Sequence, residues 1–130
     1  MSKGTIFISG VAGFLGSHLA DHFIAEGYSV KGNDNLIGGY LDNVPEGCEF
    51  HQADCNDFHQ MKDLLEGVDI VYHCAATAYE GLSVFSPHLV TQNIVTATTG
   101  PCIGSGCQRR QALRQLLVDG ALRRKPDSLY

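Results

Sequence analysis

Three glycines, Gly10, Gly13 and Gly16, stand at intervals of three between an apolar, β-branched run and a helix-like run. That spacing suits one kind of chemistry, the close approach of main chain to a pyrophosphate. Gly10 permits a tight turn, Gly13 lets the backbone come near the phosphates, and Gly16 lets the next helix press on the strand. The helix N-terminus then presents N–H groups and a partial positive charge to an anion. Asp34 follows Gly16 by 18 residues, at the end of the next strand-like run. A carboxylate there accepts hydrogen bonds from ribose hydroxyls and repels a 2′-phosphate. Together the two features predict a dinucleotide site that takes NAD in preference to NADP.

Those residues require elements to hold them. Thr5–Ser9 is a short apolar run that fits a buried parallel strand. After Gly16, Leu19, Phe23 and Ile24 recur at helical spacing, and Gly27 is a plausible stop. Residues 28–34 predict a second strand and residues 48–54 a third. Asp57 is placed to cap a helix whose inner face would be Phe58, Met61, Leu64 and Leu65. Residues 68–76 predict a fourth strand running into a small-residue turn, and a helix starts near Pro87 with Val90, Ile94 and Ala97 inward. This order argues for the α/β class, a partial doubly wound parallel sheet of Rossmann-like form.

Gly10 to Gly16 followed by Ser17-His18, then Asp34-Asn35-Leu36, then Asp54, then His73-Cys74-Ala75-Ala76, resembles the extended short-chain dehydrogenase/reductases. More narrowly, the chain is similar to the NAD-dependent nucleotide-sugar epimerases and dehydratases over about residues 3–99. The resemblance implies NAD as cofactor, with Phe14 and Leu15 lining the pyrophosphate turn. It implies Asp34 and Asn35 at the adenosine ribose, Asp54 and Cys55 beside the adenine, and Cys74, Ala75 and Ala76 along the nicotinamide. Asn93 falls where the family's helix contributes an asparagine behind the cofactor, and Ser86 stands before Pro87 where a lysine is often found.

In that family a tyrosine, assisted by a lysine four residues later, takes a hydroxyl proton while hydride passes to NAD. No such pair is present. The residues four after Tyr28, Tyr40, Tyr72 and Tyr79 are Gly32, Val44, Ala76 and Ser83, and Tyr130 is last. The expectation is therefore a cofactor half without catalytic residues, whose family substrate, a nucleotide sugar, this chain does not bind. A non-catalytic NAD-binding module is the alternative.

Composition sets the outer limits and exposes a seam. A chain of 130 residues leaves no room for a cofactor domain plus a separate substrate domain. With 44% apolar and 18% charged residues it is neither a disordered polyampholyte nor a membrane protein, and no apolar run is long enough to span a bilayer. With no secretory leader at Met1-Ser2-Lys3-Gly4, a cytoplasmic location is expected. Residues 1–99 hold three lysines, no arginine and twelve acids, net −9, whereas residues 100–130 hold five arginines, one lysine and two acids, net +4. The division is thus a half domain for NAD over 1–99 and a poorly structured basic tail over 100–130.

Two explanations of the tail compete. Taken as it stands, Gln108 to Lys125 with Leu113, Leu116 and Leu117 could bind nucleic acid or a membrane surface. Gly120 interrupts that stripe, and no aromatic before Tyr130 is available to stack on a base, so neither partner is expected. Alternatively, the tail is out of frame. Back-translated from residue 100 and read one base later, its codons permit a strand VKRFVNCSS and then RYG, as in the family. Loss of the fifth strand would leave the fourth as an uncovered sheet edge.

Five cysteines, Cys48, Cys55, Cys74, Cys102 and Cys107, in a chain without a leader are expected as free thiols. His18 and His22 lie one helical turn apart but lack the intervening glutamate of a zinc-protease helix, so no metal site is expected.

Overall fold

The computed structural model describes residues 2–77, 81–106 and 112–115. Tyr79, Tyr130, Cys107 and most of the basic stretch lie outside them. Five parallel strands form one sheet: β1 (Thr5–Ser9), β2 (Ser29–Asp34), β3 (Cys48–Gln52), β4 (Ile70–His73) and β5 (Ala112–Gln115), in the order β3-β2-β1-β4-β5. The helices are α1 (Phe14–Ala25), α2 (Phe58–Leu64), α3 (Leu82–Phe85), α4 (Pro87–Thr91) and α5 (Ala97–Gly106). A π-helical turn, Gln92–Thr96, joins α4 to α5, so the backbone is helical from Pro87 to Gly106.

β1 is central and buried on both faces, as its unbroken apolar run requires. Ile6 and Ile8 pack with Val11, Ala20 and Val30 on the α1 side, with Phe23, Ile24 and Tyr72 against them. Phe7 points the other way and packs with Met61, Leu65, Val68, Val71 and Ala97 beneath α2 and α5. Each fully buried Ile, Val, Leu, Met or Phe among them contributes roughly 1.5–3 kcal/mol by leaving water. The register Ile6↔Val30 and Ile6↔Ile70 aligns the C-terminal ends of β1, β2 and β4 on one edge of the sheet.

Helix boundaries follow local chemistry. α1 ends where the Gly27 N–H bonds the Ile24 carbonyl at a φ of +87°. The Asp57 side chain accepts from the Gln60 N–H at 3.1 Å and starts α2. Met61 and Leu65 are buried as expected, but Phe58 is 38% exposed. Its ring stacks edge-on against His59 at the first turn, so it is not on the inner face.

The sheet also departs from expectation at its other end. β5 pairs with β4 through Ile70↔Ala112 to His73↔Gln115, so β4 is not an uncovered edge. α5 runs through residue 99. Residues 112–115, Ala-Leu-Arg-Gln, show neither alternation nor β-branching, and only pairing to β4 defines them as a strand.

Candidate functional site

The strand order reverses between β1 and β4, and crevices in doubly wound sheets open at such a point, beyond the C-terminal strand ends. A cleft of about 450 Å³ lies there. Its floor is the turn after β1. Gly10 has φ +72°, and a Cβ on it would sit 2.7 Å from the Ala75 nitrogen after β4. At Gly16 a Cβ would overlap the Gly10 carbonyl oxygen, so α1 approaches the strand only because that residue has no side chain. α1 begins after Gly13 with no side-chain cap and no acid in its first turn. Its first N–H groups are therefore not bonded to a capping side chain, and no carboxylate competes there for an anion. Gly13, Phe14, Leu15 and Gly16 all line the cleft.

Asp34 closes β2 beside this turn and is 8% exposed. Its Oδ2 accepts from the Ala12 N–H at 3.1 Å, and its Oδ1 accepts from the Leu36 N–H at 2.8 Å. Each carboxylate oxygen keeps a second lone pair for a ligand hydroxyl. Asn35 donates from Nδ2 to Asp54 Oδ2 at 3.2 Å, tying the end of β2 to the loop after β3. Burial raises the Asp54 carboxyl pKa, but bonds from the Asn56 N–H, the Asn35 amide and the Asn56 amide outweigh it and hold the group below the usual carboxylate value. Asp54 is thus an anion at neutral pH. Burial pushes the thiol of Cys55 up and that of Cys74 up to about 12, so both are protonated and act as small apolar walls. Ala75, Ala76 and Asn93 complete the far wall, with Asn93 in the π-helical turn.

All the lining residues expected from the sequence therefore border one cleft: Gly10, Gly13, Phe14, Leu15, Gly16, Asp34, Asn35, Asp54, Cys55, Cys74, Ala75, Ala76 and Asn93. Sequence reasoning missed the strap between β2 and β3. Ile37, Gly39, Tyr40 and Asn43 also line the cleft. The Tyr40 N–H and the Asn43 side chain both donate to the Ala12 carbonyl, at 3.1 and 3.0 Å. A Cβ on Gly39 would come within 2.9 Å of Ala12 and of Asp34 Oδ2. The available signal was Asp34-Asn35 itself: both side chains accept from the N–H two residues on, which turns the chain sharply and sets Leu36 at φ +63°. Among the described residues no group of three or more metal-ligating side chains occurs. Cys48, Cys55 and Cys74 are free thiols, and no described helix is long and apolar enough to cross a membrane.

Comparison with known proteins agrees with this geometry. The NAD dependent epimerase/dehydratase family matches residues 6–100, and the chain belongs to that family. The UDP-glucose 4-epimerase of Streptomyces lividans is 34% identical over 99 residues, which cover 74% of this chain and 30% of that protein. UDP-glucuronic acid decarboxylase 1 of Danio rerio is 30% identical over 113 residues, covering 87% of this chain and 26% of the relative. The structure of UDP-glucose 4-epimerase from Brucella ovis in complex with NAD superposes with a TM-score of 0.81 at 30% identity, covering 86% of this chain and 35% of that one. The chain spans about a third of the length of these relatives and corresponds to their N-terminal, Rossmann-fold region.

Proposed function

We propose that this chain is an NAD-binding module, the cofactor half of a nucleotide-sugar epimerase or dehydratase without the groups that carry out the reaction. The observation that carries the reading is the Asp34 carboxylate, held by the Ala12 N–H at the edge of a glycine turn that leads into an uncapped helix. In this reading the backbone from Gly13 to Gly16 receives the pyrophosphate. Asp34 orients the ribose and rejects a 2′-phosphate, and the Asp54 anion borders the adenine. When bound, NAD supplies a hydride acceptor. The chain's own contribution is to orient it and to exclude water with Cys74, Ala75 and Ala76. The described residues include no tyrosine followed four residues later by lysine, and the sequence has none. The NAD-bound relative from Brucella ovis supports the cofactor assignment.

Calorimetric titration tests this. Saturable NAD binding with Kd below about 1 mM is expected, and Asp34→Ala should weaken it by about tenfold or more. A native chain that does not bind NAD overturns the proposal. No epimerisation of UDP-sugars is expected, and measured turnover by the pure chain would overturn its catalytic incompleteness. The reading places the chain in the cytoplasm, with NAD and neither nucleic acid nor lipid as its partner. RNA or anionic-lipid binding that vanishes on deleting residues 100–130 would favour a basic-tail interaction protein instead.

A second reading concerns the tail. The arginine seam at residue 100 is accounted for by a single-base shift in the coding DNA, natural or introduced in sequencing. The family match stops at this seam, although the zebrafish alignment crosses it. The coding bases around codons 98–102 decide it: third bases incompatible with the restored string end the idea.

A further inference from the structure

Beneath the cleft lies a run of polar side chains that the cofactor reading does not use. His73, the last residue of β4, is 2% exposed. Its Nδ1 lies 2.6 Å from Ser9 Oγ, and its Nε2 lies 3.1 Å from Thr98 Oγ1. The Thr98 hydroxyl donates to the Ile94 carbonyl at 2.5 Å. Its single proton is thereby committed, so Thr98 must accept from His73 Nε2–H. Burial pushes the imidazole pKa down, so the ring is neutral and Nδ1 accepts from Ser9 Oγ–H. Ser9 Oγ in turn accepts from the Ala75 N–H at 3.5 Å. The protons run one way through the whole chain, from Ala75 through Ser9, His73 and Thr98 to Ile94.

This chain joins three walls of the cleft. Ser9 immediately precedes Gly10, and His73 immediately precedes Cys74 and Ala75. Thr98 and Ile94 belong to the helical run that carries Asn93 and Ala97. The adenosine side is held by other residues, Ala12, Asp34, Asn43 and Asp54, none of which takes part, and the Cys55 thiol on that side meets the run only at Ser9, the end remote from Thr98. We propose that His73 is a positioning residue: its Nε2-protonated ring clamps the Asn93 wall to the ends of β1 and β4, and so sets the nicotinamide side of the cleft independently of the adenosine side. The proposal rests on the NAD reading.

Two measurements on the full chain test it. Imidazole nitrogen NMR of labelled protein at neutral pH should find His73 protonated on Nε2 alone. A ring protonated on Nδ1, or on both nitrogens, overturns the clamp. Titrations with NAD and with ADP then separate the two sides of the cleft. Because His73→Ala would leave Ser9 and Thr98 buried without their partner, the variants are made at Thr98. Thr98→Val should weaken NAD by about fivefold or more and leave ADP within about twofold, and Thr98→Ser should restore NAD to within about twofold. Parallel loss of both ligands, or no loss of either, overturns the clamp while the NAD reading stands. A native chain that binds neither ligand overturns both.

Discussion

At the scale of single residues, the site depends on atoms that leave no room. Gly16→Ala would drive a methyl into the Gly10 carbonyl, and neither backbone can move without disturbing the strand. The variant should lose about 1–3 kcal/mol, read as a lowered thermal midpoint. His73 contributes in another way. Its folded pKa lies below the ordinary 6.5, so between the two values the unfolded chain binds the extra proton. That contribution to stability is present above the unfolded value and is lost as pH falls through it towards the folded one. Denaturant melts taken from pH 7.5 down to 5.5 should therefore show declining stability, and His73→Gln should flatten the slope. An unchanged slope would remove His73 from the account. The glycines, Asp34 and Asp54 were legible because residue type and spacing carry their chemistry. The strap from Ile37 to Asn43 was not, because its bonds run to the Ala12 carbonyl, one from the Tyr40 N–H and one from the Asn43 amide, and no spacing of side chains marks a main-chain acceptor.

At the scale of elements, caps and close contacts explain more than propensity does. Asp57→Ala removes the only side-chain cap on α2 and should cost about 1 kcal/mol, measured by chemical denaturation. α2 and its C-cap residue carry Met61 and Leu65 into the core, so the loss should appear in global stability and not as fraying alone. Gly100 bears on the same contact from α5: a Cβ there would overlap the Cys55 carbonyl oxygen. Gly100→Ala should therefore push α5 off the loop after β3 and weaken NAD along with stability, whereas Asp57→Ala should leave NAD binding unchanged. Four strands and the long helices were legible from apolar period and stop signals. The short α3 was not, since Phe85 is 87% exposed, and the period of Val90, Ile94 and Ala97 marked a helix without marking its π-helical turn.

At the scale of the whole molecule, the sheet reaches further than the charge seam suggests. An acidic segment and a basic one share a parallel sheet through β4 and β5. Deleting residues 107–130 would strip β5 from β4 and expose an apolar strand edge. That truncation should raise light scattering on warming and lower the melting temperature relative to the full chain. A tail that contributes nothing would leave both unchanged. The fifth strand was illegible because pairing, not local composition, defines it.

The order β3-β2-β1-β4-β5 also has a consequence in time. Of these five strands the first to be synthesised is the one that ends in the middle, and Ser9 meets His73 only after a further 64 residues have been made. Until then one long side of β1 has nothing to bond, and during translation the chain carries an open apolar template. Parallel pairings across such distances close slowly, on the order of milliseconds to seconds. Newly made chains should depend on holdase chaperones during that interval more than the finished fold does.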